Sequence, residues 1–135
     1  MTGFATKRLP AAPDTVAPDG SDVRLLLSLP RGGFAHFRLA PGQTSVPVAH
    51  NTVEEIWFFV EGRGQMWRRV REQEEIVEVE AGVCVTLPVG AHFQFRAVGS
   101  EALAAVAVTM PPWPGRGEAY FVEGPWTPTL PAGPA

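Results

Sequence analysis

The chain of 135 residues is 45% hydrophobic and carries 11 basic against 14 acidic side chains, a formal net charge of −3. This suits one domain with its own core, and the mixed charges leave no basic face for nucleic acid or anionic lipid. A lone cysteine excludes an internal disulfide framework, and the absence of a secretory signal or a long apolar run predicts a cytoplasmic protein without a membrane partner.

Both ends of the chain are rich in proline, which fixes φ and disfavours regular structure. Residues 1–20 contain Pro10, Pro13 and Pro18, and residues 124–135 contain four further prolines. We predict an N-terminal arm over residues 1–20, a β-barrel over residues 21–123 and a C-terminal arm over residues 124–135. Such arms either stay loose or drape over the barrel or a neighbouring subunit.

Between the arms, short apolar or alternating runs are separated by turn residues, and no segment favours a helix. The predicted strands are 23–29, 34–39, 55–61, 65–70, 75–80, 83–87, 91–97, 102–109 and 119–122. Pro41-Gly42 and Ala81-Gly82 supply turns between them. Cys84 lies in an apolar run and is predicted to be buried and inert. The chain is therefore predicted to be all-β, with two layers or a closed barrel.

Two segments carry glycine, proline, histidine and glutamate at characteristic spacings. These residues are Gly42, His50, Glu55, Gly62, Gly82, Pro88 and Gly90. Their spacing resembles the two sequence motifs of the cupins, of which the first contains a His-x-His pair and a glutamate and the second a Pro-x-Gly followed by a histidine. The resemblance covers about residues 34–110. It implies a cupin barrel, also called a double-stranded β-helix or jelly roll.

In cupins, the three histidines and the glutamate of these motifs usually bind one divalent metal. By this resemblance His50 and Glu55 occupy two of the four positions, whereas Val48 and Phe93 occupy the others. His92 precedes the last position and would replace it if a β-bulge turned its side chain inward. The resemblance thus implies Fe, Mn, Ni, Zn or Cu at His50, Glu55 and His92, or no metal at all.

Without a metal, His50 and Glu55 still place a group that titrates near neutrality beside a carboxylate. Burial would raise the pKa of Glu55 into the range of acid–base catalysis, so these two are the predicted catalytic residues. The alternative is that they bond to each other and only fill space. Glu54 also satisfies the motif spacing, but Glu55 shares a strand face with Trp57 and Phe59.

Aromatic side chains are predicted to surround this pair. The predicted pocket residues are Val48, Trp57, Phe59, Phe93 and Phe95. Such a lining favours a partly apolar or aromatic organic ligand over a small dianion, although ordinary core packing predicts the same inward rings. His36 is a further candidate ligand from an adjacent strand, and Trp113, on a proline-rich turn, is predicted to cap a pocket or anchor an interface.

Two main functions remain open from the sequence. The first is an enzyme of small-molecule metabolism that uses His50 and Glu55, with or without a metal. The second is a metal-free, non-catalytic protein that binds a small molecule as a sensor, carrier or auxiliary protein. A purely structural or partner-binding role is a third. Because barrels of this size often pair through edge strands, we also predict a homodimer.

Overall fold

The computed structural model describes residues 3–135, which form eleven strands. They are β1 (Thr15–Val16), β2 (Asp22–Leu29), β3 (Gly32–Leu39), β4 (Val48–His50), β5 (Glu54–Glu61), β6 (Arg63–Val70), β7 (Gln73–Glu80), β8 (Cys84–Leu87), β9 (His92–Ala97), β10 (Leu103–Met110) and β11 (Ala119–Phe121). The nine predicted strands are all present, whereas the sequence did not predict β1 and β4. Among residues 3–135, no helix is long and apolar enough to cross a membrane.

The strands form two antiparallel sheets with the core between them. One sheet has the order β1-β2-β3-β10-β5-β8, and the other has the order β11-β4-β9-β6-β7. Along β5 the side chains alternate, with Glu55, Trp57 and Phe59 buried between the sheets and their neighbours exposed. This arrangement confirms the all-β jelly-roll prediction.

The same alternation corrects one prediction on β8. Cys84 is exposed, because Val85 and Leu87 are the residues of this strand that face the core. The prediction of a buried thiol was wrong, because an apolar run does not show which of its side chains face the core. Adjacent side chains of a strand point to opposite sides of the sheet.

The turn between β5 and β6 depends on a glycine. Gly62 has a φ of +73°, which L side chains rarely adopt, and a Cβ at this position would collide with the carbonyl oxygen of Ala102. Gly82 also has a positive φ, of +99°, but a Cβ there would meet open space. Of these two turns, only the one at Gly62 is in close contact with a neighbouring backbone.

Part of each terminal segment lies against the barrel, whereas the first described residues are exposed, Phe4 fully so. Thr15–Val16 adds a strand beside β2, and Ala17 packs in the core. The N–H of Gly133 donates to the carbonyl of Ala17 at 2.9 Å, and Leu130 packs against the core. The segments around Ala17 and Leu130 therefore drape over the barrel, which is one of the arrangements expected for the arms.

Candidate functional site

A cavity of about 370 Å³ lies between the two sheets. Its walls come from β2, β3, β4, β5 and β9, from residues 15–19, and from the turn that follows β10. Leu25, Leu26 and Leu27, here called the leucine lip, line it on the β2 side, where the pairing with β3 shifts register. Leu25 and Leu27 are also exposed, so the cavity opens to solvent past the lip.

His50 and Glu55 meet on the wall of this cavity. His50 ends β4 and Glu55 lies near the start of β5, and Nδ1 of His50 is 3.5 Å from Oε2 of Glu55. The indole Nε1–H of Trp57 donates to Oε1 of Glu55 at 2.6 Å, which fixes the carboxyl group. A separation of 3.5 Å is at the outer limit of a hydrogen bond, as is common in catalytic sites before a ligand tightens them.

Glu118 holds the segment that carries His50. Its carboxylate accepts hydrogen bonds from the N–H groups of Thr52 and Val53 at 2.7 and 2.9 Å and from the Thr52 hydroxyl at 2.5 Å. Burial acts to raise the pKa of Glu118, but these hydrogen bonds bring its net pKa below the usual value. The position of His50 is therefore set by a contact between segments far apart in the sequence.

Burial shifts the two pKa values of the pair in opposite directions. Burial raises the pKa of Glu55 from 4.5 to about 8, helped by the nearby carboxylates of Asp19 and Glu118 and opposed by the hydrogen bond from Trp57. Burial lowers the pKa of His50 from 6.5 to about 4. At neutral pH the favoured state is a protonated Glu55 beside a neutral His50, so a proton donor and a proton acceptor share the cavity wall.

Aromatic rings enclose the imidazole and the cavity beside it. The ring centroid of His50 lies 4.9 Å from that of Trp113 and 5.4 Å from that of Phe93, both in edge-on geometry. Phe37 stacks on Trp57 with centroids 5.1 Å apart and planes 9° apart. Trp113, which was predicted to cap a pocket or anchor an interface, lines the cavity. Phe37, which the sequence analysis did not single out, also lines the cavity.

The other predicted pocket residues divide into two groups. Val48, Trp57 and Phe93 line the cavity. Phe59 and Phe95 point inward but do not line it, because they pack deeper in the core against Trp57, with centroids 6.0 and 5.0 Å away. The face of each strand was therefore predicted, but the depth of each side chain was not.

The structure does not bring His92 or His36 to the pair. The pairing of β9 with β6 runs without a register shift from His92 to Ala97, so the inward bulge required for His92 is absent there and its side chain faces away from Phe93. His36 lies opposite Arg24 and Val106 on the other face of β3 and does not line the cavity. Burial lowers its pKa.

The residues present do not fit the metal that the resemblance implies. Val48 and Phe93 pair across β4 and β9 and place hydrocarbon at two of the four ligand positions. Within residues 3–135, no group of three or more His, Cys, Asp and Glu side chains is arranged to hold a metal ion. His50 and Glu55 alone supply too few donors for a stable site.

Asp19 is a site residue that the sequence analysis missed. Asp19 lines the cavity and is 3% exposed, and its carboxyl group accepts hydrogen bonds from the N–H and hydroxyl of Ser21 at 2.9 and 2.6 Å. Burial raises its pKa despite these bonds. Asp-Gly-Ser predicts a turn, but no local signal indicates that this turn closes a cavity, so residues 1–20 were assigned to an arm.

Two antiparallel sheets enclosing a lined cavity define a jelly-roll barrel. Residues 35–109 match the family model described as the cupin domain, and the chain belongs to the cupin family. The comparison with curated proteins finds no significant match.

Solved structures support the same fold. Capsular polysaccharide assembling protein CapF from Staphylococcus aureus aligns at 22% identity and TM-score 0.67 over 82% of this chain and 34% of its own. The chain thus spans about a third of that protein. A predicted oxalate decarboxylase from Thermotoga maritima aligns at 19% identity and TM-score 0.62 over 78% and 99% of the two chains. Oxalate decarboxylase from Bacillus subtilis aligns at 14% and 0.69 over 81% and 29%.

Proposed function

We propose that this cupin is an enzyme of small-molecule metabolism that binds a partly apolar or aromatic organic molecule and transfers a proton through His50 and Glu55. One observation carries the proposal. The two side chains approach within 3.5 Å on the wall of an otherwise largely apolar cavity. Burying an ionisable pair costs folding free energy, and such pairs are concentrated at functional sites.

The pair suits acid–base chemistry near neutral pH. With a pKa of about 8, Glu55 is mostly protonated at pH 7 and yet gives up its proton readily. Its Oε1 is held by Trp57, which leaves Oε2 to exchange a proton with a bound molecule. Burial lowers the pKa of His50 to about 4, so His50 stays neutral at this pH and the proton remains on Glu55 until a bound molecule takes it. The edge-on contacts of Trp113 and Phe93 keep the imidazole oriented.

The lining argues against a small dianion as substrate. The oxalate decarboxylases among the similar structures are named for a dicarboxylate. Among the described residues that line this cavity, none is a lysine or arginine that would neutralise such a ligand. Aromatic and aliphatic side chains instead favour a ligand with an apolar body.

Proton abstraction from nitrobenzisoxazole tests the proposal with a generic probe of the right character. A base removes the ring C–H proton, the N–O bond breaks, and a coloured cyanophenolate forms, so the base is the sole reactant required. We expect the parent protein to open the ring faster as the pH rises through 8, the pKa of Glu55. Glu55→Gln should lower the rate by about a hundredfold or more.

Glu54→Gln is the matched control, because Glu54 is the exposed neighbour on the opposite face of β5. It should react as the parent does. Equal rates for the parent and Glu55→Gln would contradict the proposal.

A non-catalytic binding protein is the second candidate. It is favoured by the hydrocarbon side chains of Val48 and Phe93 at two positions where the family carries histidines. Binding of the probe is followed through the fluorescence of Trp57 and Trp113, which line the cavity. Saturable binding without any turnover would refute the enzyme and support this second candidate.

A further inference from the structure

Acidic side chains outnumber basic ones in the described lining of the cavity. Asp19 and Glu55 contribute carboxyl groups, and no lysine or arginine is found among the lining residues that the structure describes. The one basic side chain is His50, whose pKa burial lowers to about 4. A third carboxylate, that of Glu118, lies close enough to influence both His50 and Glu55. The cavity therefore holds carboxyl groups with no strongly basic side chain to pair with them.

Asp19 is the clearest sign of this imbalance. Both of its side-chain hydrogen bonds, from the N–H and the hydroxyl of Ser21, reach Oδ1. Neither of these hydrogen bonds reaches Oδ2. A buried carboxyl group with an open oxygen gains most from a partner that brings positive charge or N–H donors. Asp19 does not belong to the His50–Glu55 pair, so the proton-transfer role leaves it unexplained.

The aromatic lining supplies a second contact for a cation. Phe37 and Trp57 stack with centroids 5.1 Å apart, and Trp113 and Phe93 flank the imidazole of His50. The faces of such rings attract ammonium groups, and the attraction is stronger where water is excluded. Aromatic rings together with carboxyl groups that have no strongly basic partner are the combination that recognises organic ammonium ions.

We propose that the cavity binds an organic amine in its ammonium form, with an aromatic or aliphatic body packed on the rings and Asp19 and Glu55 neutralising its charge. This rests on the proposed function, because it names the substrate class of the same cavity. Binding changes no covalent bond in the ligand. The ammonium ion enters, a carboxyl group that was protonated releases its proton to solvent, and an ion pair remains.

The size of the cavity limits the body of the amine. A cavity of about 150 Å³ is enough to hold benzene, so about 370 Å³ accommodates one aromatic ring with a short alkylamine chain. Larger substituents would project past the leucine lip toward solvent.

Three probes that share a phenyl ring and a short chain test the inference: phenethylamine, phenethyl alcohol and hydrocinnamate. Titration calorimetry at neutral pH should give an affinity for the amine roughly tenfold or more above that for the alcohol. Hydrocinnamate should bind most weakly. Equal or tighter binding of the alcohol, or no binding of the amine, would overturn the inference.

Asp19→Asn separates charge from shape. The Asn amide oxygen can still accept both hydrogen bonds from Ser21, so the turn should be retained. We expect this variant to lose most of the preference for the amine while its affinity for the alcohol is unchanged. Asp22→Asn, which alters an acid of β2 outside the cavity lining, should keep the preference. An undiminished preference in Asp19→Asn would also overturn the inference.

These outcomes are independent of the proton-transfer test. Binding of the alcohol as tightly as the amine defeats the ammonium proposal but leaves the apolar pocket and its chemistry standing. Unchanged ring opening of nitrobenzisoxazole in Glu55→Gln defeats the proposed function whatever the amines do.

Discussion

The raised pKa of Glu55 predicts an unusual dependence of stability on pH. In the unfolded chain this carboxyl group gives up its proton near pH 4.5, but in the folded protein it keeps the proton to about pH 8. Between these values the folded state binds more protons, so the free energy of unfolding falls as the pH rises. The stabilisation is complete below pH 4.5 and is lost as the pH passes 8.

His50 acts in the opposite direction in a lower window. Its pKa is lowered from 6.5 to about 4, so its contribution to stability increases with pH between those values. As the pH rises above 6.5 the imidazole of the unfolded chain also becomes neutral, so Glu55 contributes most of the change from the pair. The slope there is about 1.4 kcal/mol per pH unit. From pH 6.5 to 8 the loss attributable to Glu55 is therefore about 2 kcal/mol, a large share of a typical net stability of ~5–15 kcal/mol.

Urea unfolding of the parent and of Glu55→Gln at several pH values across this interval measures the effect. Gln keeps an acceptor for Trp57 but cannot ionise, and the comparison cancels contributions from other groups such as Asp19. The parent should lose about 2 kcal/mol more than the variant, with unchanged slopes against urea. Glu54→Gln should follow the parent. Parallel curves for the parent and Glu55→Gln would refute the assignment of a buried, protonated carboxyl group.

Three further predictions concern the turn, the metal and the assembly. Gly82→Ala should lower the free energy of unfolding by roughly 1–2 kcal/mol because of its positive φ alone. Gly62→Ala should lower it by roughly 1–3 kcal/mol more, because the added methyl group meets the Ala102 backbone. Equal losses in urea unfolding would contradict that close approach. Val48→His combined with Phe93→His should take up nickel or zinc stoichiometrically by elemental analysis after dialysis, whereas the parent should not; stoichiometric metal in the parent would show that its donors do suffice. Light scattering of the purified protein should give the mass of a homodimer, and a monomer mass would disprove that prediction.

Strand periodicity accounts for what could be predicted from the sequence. β5 has enough residues to show the two-residue repeat of a strand, so Glu55 could be assigned to the same face as Trp57. In the structure both side chains are buried on that face. β4 has only three residues, too few to establish a period, and it exists because β11 and β9 pair with it. Its assignment requires contacts between distant segments, which a local pattern does not contain.

The remaining differences have the same physical origin. Periodicity gives the face of a side chain but not its depth, so Phe59 and Phe95 were grouped with residues that line the cavity. The proposal that His92 turns inward depended on a bulge, and β9 is regular at that point. Asp19 enters the cavity through the fold of residues 15–19 against β2, for which the sequence offers only a turn signal.

The three hydrogen bonds to Glu118 make the cavity wall near His50 more rigid than the wall that the leucine lip forms. They brace the loop after His50, so the imidazole has little freedom to follow a guest of unsuitable shape. The leucine lip, with its irregular ladder and partly solvated side chains, has fewer such restraints. Substitutions at Leu25, Leu26 and Leu27 should therefore change which ligand bodies the cavity accepts, without disturbing the proton-transfer pair.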